Sequence, residues 1–223
     1  MARITVVLDE IINLSGNSVK GEPRPAKAAA LCELGGASGV AIQVSDGDIT
    51  PRYERIVKSV KEVLGIPLAL IVPGEAKIIE KVIDLAPDMA VLCDYKPTGE
   101  DYIARLQVSN IIVALTIAPE IDRVKSAAKM KADYVVLDTT SYCVEKNLSL
   151  KVDILNRISK VSALAERLSM GTIVFGPVTI MDLQKLSKIE QIEEFFVGHE
   201  VISKAILYGL GKAITELKSE IVI

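Results

Sequence analysis

The single histidine of the chain, His199, lies in the stretch "EFFVGHEVISKAILYGL", residues 194–210. An apolar run ends at Gly198, and apolar residues then recur at helical spacing, which predicts a strand, a Gly-His corner and a helix. The free N–H groups and the dipole of a helix N-terminus attract anions, and a glycine lets a ligand approach the backbone closely. We therefore predict that Gly198 and His199 bind a phosphate, mainly through the backbone with the imidazole as an accessory. The alternative is that His199 only caps the helix.

Carboxylates follow several of the other apolar runs. They are Asp9 with Glu10, Asp46, Asp94 and Asp138. If these groups meet, Asp9, Glu10 and Asp138 are candidates for acid–base catalysis. Asp46 and Asp94 are candidate ligands of a divalent metal. The alternative is that each aspartate caps the turn that follows its strand.

Eight short apolar runs without polar alternation predict buried parallel strands. They are residues 4–9, 39–46, 67–72, 89–94, 111–118, 134–138, 172–176 and 194–198. Segments of helical period separate them, at 24–36, 50–65, 75–86, 119–132, 153–170 and from about 199. This alternation predicts a single (β/α)8 barrel over residues 1–223, whose active site would lie at the carboxyl ends of the strands. An open doubly wound sheet is the alternative, but "LDEIINLSGNS" after the first strand has no glycine-rich phosphate loop.

Composition excludes several classes of partner. The formal net charge is −3 and no Lys/Arg-rich run occurs, which argues against nucleic acid and anionic membranes. Cys32, Cys93 and Cys143 lie far apart, so neither a disulfide framework nor a zinc site is expected. Carboxylates interrupt the N-terminal apolar run before a secretory signal forms, and we expect a cytoplasmic protein.

The segment 140–152 is long for a strand-to-helix connection and is a candidate lid.

Several segments resemble one known family. "VGHEVISKAILYGLGKAITELK" (197–218) is similar to the C-terminal Gly-His segment of the pyridoxine 5'-phosphate synthases. The same order continues in "VLDEI" (7–11), "EPRPAKAA" (22–29), "GGASGVAIQVSDGDIT" (35–50) and "DTTSY" (138–142). The resemblance extends over essentially the whole chain.

The resemblance implies a (β/α)8 barrel that condenses 1-deoxyxylulose 5-phosphate with 3-amino-2-oxopropyl phosphate, forming the pyridoxine ring. It implies a small phosphorylated ligand, no organic cofactor and a homo-oligomer. Four of the family's site residues are retained, namely Asp9, Thr139, Gly198 and His199. Of these, Thr139, Gly198 and His199 are expected to contact the phosphate.

At other positions of the family's site this sequence differs. Glu10, Gln43 and Asp138 stand where the family has histidines, Ile71 replaces a glutamate acid–base residue, and Gly176 replaces the histidine of a Gly-His-Gly motif. Gln43 and Gly176 are therefore counted among the ligand-binding positions. The family's arginines after the first strand are replaced around Ser15 and Ser18. Because each acid–base group contributes about 100- to 10,000-fold, we expect the standard synthase activity to be lost or altered. The alternatives are a non-catalytic paralogue that senses or scaffolds a vitamin B6 phosphate, and a metal-dependent lyase or isomerase that uses an aspartate cluster.

Overall fold

The structure is a computed structural model that describes residues 2–19, 21–44, 48–95 and 102–221. Eight parallel strands form a closed barrel in sequence order, and β8 pairs with β1. The strands are β1 (Arg3–Val7), β2 (Gly39–Gln43), β3 (Leu68–Pro73), β4 (Met89–Cys93), β5 (Ile112–Ile117), β6 (Tyr134–Asp138), β7 (Gly171–Phe175) and β8 (Ile192–Val197). The predicted (β/α)8 barrel is confirmed.

Helices connect the strands and cover the outside of the barrel. They are α1 (Asp9–Gly16), α2 (Pro25–Leu34), α3 (Pro51–Val63), α4 (Ala76–Leu85), α5 (Tyr102–Val108), α6 (Ile121–Lys129), α7 (Thr140–Val144), α8 (Leu148–Arg167), α9 (Ile180–Leu186), α10 (His199–Tyr208) and α11 (Leu210–Glu220). Across the residues that the structure describes, no helix combines the length and the apolar character that crossing a membrane requires.

Side chains of alternate residues fill the inside of the barrel. Ala41, Ile71, Val91, Val136 and Phe196 belong to one buried cluster within it. The residues between them on each strand face the helices, where a larger core forms. Both faces of the sheet are therefore buried, which is why the strands are continuous apolar runs in the sequence.

Local signals placed α3 correctly. Thr50 is its N-cap and accepts a hydrogen bond from the Tyr53 N–H at 3.4 Å, and Pro51 occupies the first helical position. The predicted C-terminal helix is instead divided, because Gly209 between α10 and α11 adopts a φ of +91°. This left-handed conformation suits glycine and interrupts the helical hydrogen bonds.

The expectation of a long connection at 140–152 is wrong. This segment forms the short helix α7 and the start of α8. Asn147 caps α8 by accepting hydrogen bonds from the N–H groups of the second and third residues of the helix. Lys151 forms an ion pair with the buried Asp182 at 2.9 Å, and its Nζ lies 4.6 Å from the centre of the Tyr142 ring. These contacts hold the segment against the barrel.

Candidate active site at the barrel mouth

A cavity of about 350 Å³ opens at the carboxyl ends of the strands. Its lining brings together the six predicted residues Asp9, Glu10, Asp138, Gly176, Gly198 and His199. These residues come from β1, β6, β7 and β8 or from the connections that follow them. The closed barrel is what collects them, because every parallel strand ends at the same face.

Asp9 is the most deeply buried carboxylate of this cavity. It is the first residue of α1, and its Oδ1 accepts a hydrogen bond from the Gln43 N–H at 2.8 Å. Burial raises the pKa of Asp9 to about 6; the hydrogen bond from Gln43 opposes this shift, and the nearby Glu10 charge adds to it. Asp9 can therefore gain or lose a proton near neutral pH, as a general acid or base must.

The raised pKa of Asp9 predicts a pH-dependent loss of stability. Ionising the buried carboxyl group lowers the free energy of unfolding. This loss is absent below about pH 4, grows between about pH 4 and pH 6, and is complete above that range. Asp9→Asn keeps the acceptor oxygen and removes the charge. We expect this variant to gain about 1–3 kcal/mol in free energy of unfolding at about pH 8, and nothing near pH 4. Urea denaturation at both pH values measures the difference.

The exposed Asp84 provides the control, since Asp84→Asn should change stability by less than about 0.5 kcal/mol at either pH. A loss of stability in Asp9→Asn at the higher pH would contradict the assignment of a buried, penalised carboxylate.

His199 lies at the predicted Gly-His corner, where it is the first residue of α10 and Gly198 is the N-cap. No side chain caps this helix. The imidazole instead contacts two other groups: its Nδ1 lies 2.7 Å from Glu10 Oε1, and its Nε2 lies 3.3 Å from Ser203 Oγ. The side chain is 75% exposed, so it is accessible to a ligand at the mouth.

Asp138 and the two threonines after it have different roles. Asp138 is exposed at the end of β6, and its Oδ1 accepts a hydrogen bond from the Thr140 N–H at 2.8 Å, as a turn-capping aspartate does. Thr139 is fully buried and its hydroxyl donates to the Phe175 carbonyl at 3.1 Å, so Thr140 rather than Thr139 lines the cavity. A Cβ at Gly176 would lie 2.6 Å from Thr139 Oγ1, which leaves room only for glycine.

Gln43 and Ile71 lie beside each other in the register of β2 and β3. Gln43 acts on the site through its backbone, which positions Asp9. Ile71 is fully buried among the apolar side chains of the barrel interior.

The two predicted metal ligands do not form a site within the described part of the chain. Asp46 lies outside the described residues. Asp94 is exposed and lines a separate pocket of about 400 Å³ together with Tyr95 and Arg123. Within residues 2–19, 21–44, 48–95 and 102–221, no three His, Cys, Asp or Glu side chains are arranged to hold a metal ion.

Thr116 and Ser203 were not predicted from the sequence. Thr116 lines the cavity from β5, and its Oγ1 lies 3.5 Å from Cys93 Sγ. A polar residue at an inward position of an apolar strand was the available signal. Burial raises the pKa of the Cys93 thiol, and the nearby charges of Asp94 and Asp138 raise it further. The hydrogen bond with Thr116 opposes this shift only in part, so a thiolate nucleophile is disfavoured. Ser203 follows His199 by four residues, a spacing that places both on one face of a helix.

Fold and site together define a (β/α)8 barrel whose mouth holds several carboxylates and one imidazole. Residues 96–222 match the family of the pyridoxal phosphate biosynthesis protein PdxJ, and the chain belongs to this family. It is 28% identical to pyridoxine 5'-phosphate synthase of Geobacter metallireducens, with 97% of each chain covered. It is 29% identical to the enzyme of the same name from Citrifermentans bemidjiense, over 100% of this chain and 99% of the relative.

Solved structures of other proteins share the fold. Thiamine phosphate pyrophosphorylase from Pyrococcus furiosus superposes with a TM-score of 0.70 at 14% identity, covering 98% of this chain and 95% of its own. KGPDC from Streptococcus mutans gives a TM-score of 0.68 at 12% identity, covering 99% and 97%. At these identities the likeness concerns the fold alone.

Proposed function

We propose that this member of the family binds a small phosphorylated ligand at the mouth of the barrel, and that the standard synthase chemistry is lost or altered. The observation that carries the proposal is the mouth cavity itself. Gly198 and His199 lie on one side of it, and the partly buried Asp9 opens into the same space. The phosphate would lie at the Gly198–His199 corner, where the first N–H groups of α10 point outward.

The residues present allow only part of the family's acid–base chemistry. Asp9, with a pKa of about 6, can transfer a proton near neutral pH. Glu10 and Asp138 are additional carboxylates in the same lining. Ile71 cannot transfer a proton. This apolar position favours a second candidate, in which the protein binds a vitamin B6 phosphate without turning it over.

Ligand binding is tested by comparing pyridoxine 5'-phosphate with pyridoxine. We expect the phosphorylated compound to shift the backbone amide signals of Gly198, His199 and Glu200, and pyridoxine to leave them unchanged. At about 100 times its Kd, the phosphorylated ligand should add about 2.7 kcal/mol to the free energy of unfolding. His199→Ala should weaken binding about tenfold, because it removes a hydrogen bond to a charged group.

An equal response to both compounds would show that the phosphate is not what the site recognises. Signal changes confined to residues away from the mouth would overturn the placement at the Gly198–His199 corner.

A further inference from the structure

Glu10, His199 and Ser203 form one hydrogen-bonded group at the edge of the mouth cavity. Glu10 Oε1 lies 2.7 Å from His199 Nδ1, and Ser203 Oγ lies 3.3 Å from His199 Nε2. Glu10 comes from α1, whereas His199 and Ser203 lie one turn apart on α10. The imidazole is thereby held at both nitrogens, although most of its surface is exposed.

The chemistry of the two partners determines where the protons lie. An ionised carboxylate only accepts hydrogen bonds, so Nδ1 of His199 must carry a proton in order to donate to Glu10. In the neutral imidazole Nε2 is then bare, and the Ser203 hydroxyl donates to it. In the imidazolium Nε2 carries a proton as well, and the Ser203 hydroxyl is released to donate elsewhere.

Protonation therefore leaves two neighbouring donor groups, Nε2–H and the Ser203 O–H, whose heavy atoms lie 3.3 Å apart. Both need an acceptor, and an oxyanion at the mouth supplies two. The surrounding charges make this protonation favourable for anion binding. Asp9 and Glu10 on α1, Asp138 on β6 and Glu200 on α10 are acidic, and Lys204 of α10 is paired with Glu216 of α11. Within the described lining of the cavity, His199 is the side chain that can carry positive charge.

We propose that Glu10, His199 and Ser203 form a proton-linked anion clip, in which Ser203 binds a tetrahedral oxyanion directly and Glu10 is a positioning residue for the imidazole. This inference rests on the proposed function, and it adds Glu10, Ser203 and the uptake of one proton to that function. The ligand class is a phosphate monoester, whose oxygens accept from Nε2–H of His199 and from the Ser203 hydroxyl. One proton is taken up when the ligand binds to the neutral imidazole.

Sulfate is the probe, because its charge does not change near neutral pH whereas that of phosphate does. Any pH dependence of sulfate binding therefore comes from the protein. His199 is the single histidine of the chain, so its imidazole signals are assigned without ambiguity. We expect sulfate to bind at least about tenfold more tightly at about pH 6 than at about pH 8. Calorimetry at the higher pH, in two buffers of different ionisation enthalpy, should show uptake of close to one proton.

Ser203→Ala tests the direct contact, with Ser219→Ala as its matched control. Ser219 lies on α11 and its hydroxyl donates to the Glu216 carbonyl. We expect Ser203→Ala to weaken sulfate binding about tenfold at about pH 6 and Ser219→Ala to leave it unchanged. Equal affinities of the two variants would overturn the role of Ser203.

Glu10→Ala and Glu200→Ala separate positioning from simple repulsion. Both variants remove a negative charge near the anion, and Glu200 lies in the first turn of α10. We expect Glu200→Ala to strengthen sulfate binding slightly and Glu10→Ala to weaken it several-fold, because the imidazole is no longer held. In the 15N spectrum at high pH the neutral ring should be protonated at Nδ1 in the wild type and should lose this preference in Glu10→Ala.

Stronger sulfate binding in both variants would overturn the positioning role of Glu10.

His199→Lys supplies a permanent cation and should bind sulfate without the pH dependence. If sulfate binds at the corner with the same affinity at both pH values in the wild type, the clip fails and the proposed function stands. If neither sulfate nor pyridoxine 5'-phosphate binds at the corner in any variant at either pH, both fail.

Discussion

Purified protein supplied with 1-deoxyxylulose 5-phosphate and 3-amino-2-oxopropyl phosphate is expected to form pyridoxine 5'-phosphate at least about a thousandfold more slowly than an ordinary synthase. The family resemblance places acid–base residues at positions that here are Gln43, Ile71 and Gly176. Ile71 is fully buried in the apolar interior of the barrel, and Gln43 acts through its backbone on Asp9. The loss of two groups at the lower end of their usual contribution, about 100-fold each, would slow the reaction about 10,000-fold, which is more than this lower bound.

The assay compares product formation with that of the Geobacter metallireducens enzyme under the same conditions. Asp9, Glu10 and Asp138 are the groups that could substitute, so Asp138→Ala is assayed in parallel. Robust turnover by the unmodified protein, abolished in Asp138→Ala, would show that carboxylates perform the proton transfers. The second candidate, binding without turnover, would then be wrong.

Replacement of Phe196 by alanine is expected to lower the free energy of unfolding by about 3–5 kcal/mol. Phe196 is 1% exposed in the interior of the barrel, and its ring meets the edge of the Phe175 ring at a centroid distance of 6.4 Å. It also lines a second cavity of about 390 Å³, at the opposite face of the barrel where the strands begin. Phe196 therefore fills space between this second cavity and the mouth. Truncation removes buried contacts and leaves a void that the closed sheet cannot collapse to fill.

Leu207→Ala is the matched surface control for the unfolding measurement. Leu207 is 80% exposed on α10, and its truncation should change stability by less than about 0.5 kcal/mol. If Phe196→Ala costs less than about 1 kcal/mol, the inside of the barrel is not the close-packed core described above.

Much of the architecture could be predicted from local patterns. The eight apolar runs became the eight strands of the barrel, because strands buried on both faces need apolar residues at every position. Thr50 and Pro51 marked the start of α3, since capping depends on residues only a few positions apart. The same locality identified the Gly198–His199 corner at the start of α10.

The segment 140–152, predicted as a long connection, shows the limit of prediction from local patterns. Its helical character depends on Asn147 as a cap and on the ion pair between Lys151 and Asp182, which joins α8 to α9. Leu148, Leu150 and Val152 alternate with polar residues instead of recurring at helical spacing, so no helix could be recognised from the pattern.

The sequence by itself determined which residues end the strands, and therefore that Asp9, Glu10, Asp138, Gly176, Gly198 and His199 would surround one mouth. Only the tertiary structure decided their partners. Glu10 meets His199 across 189 positions of the chain because β1 and β8 pair to close the barrel. The burial that raises the pKa of Asp9 likewise depends on how neighbouring strands and loops pack. The same packing buries Thr139 and places Thr140 in the lining of the cavity. The positions of the strands along the chain follow from local hydrophobicity, whereas contacts within a site depend on register and packing between distant segments, which no local pattern encodes.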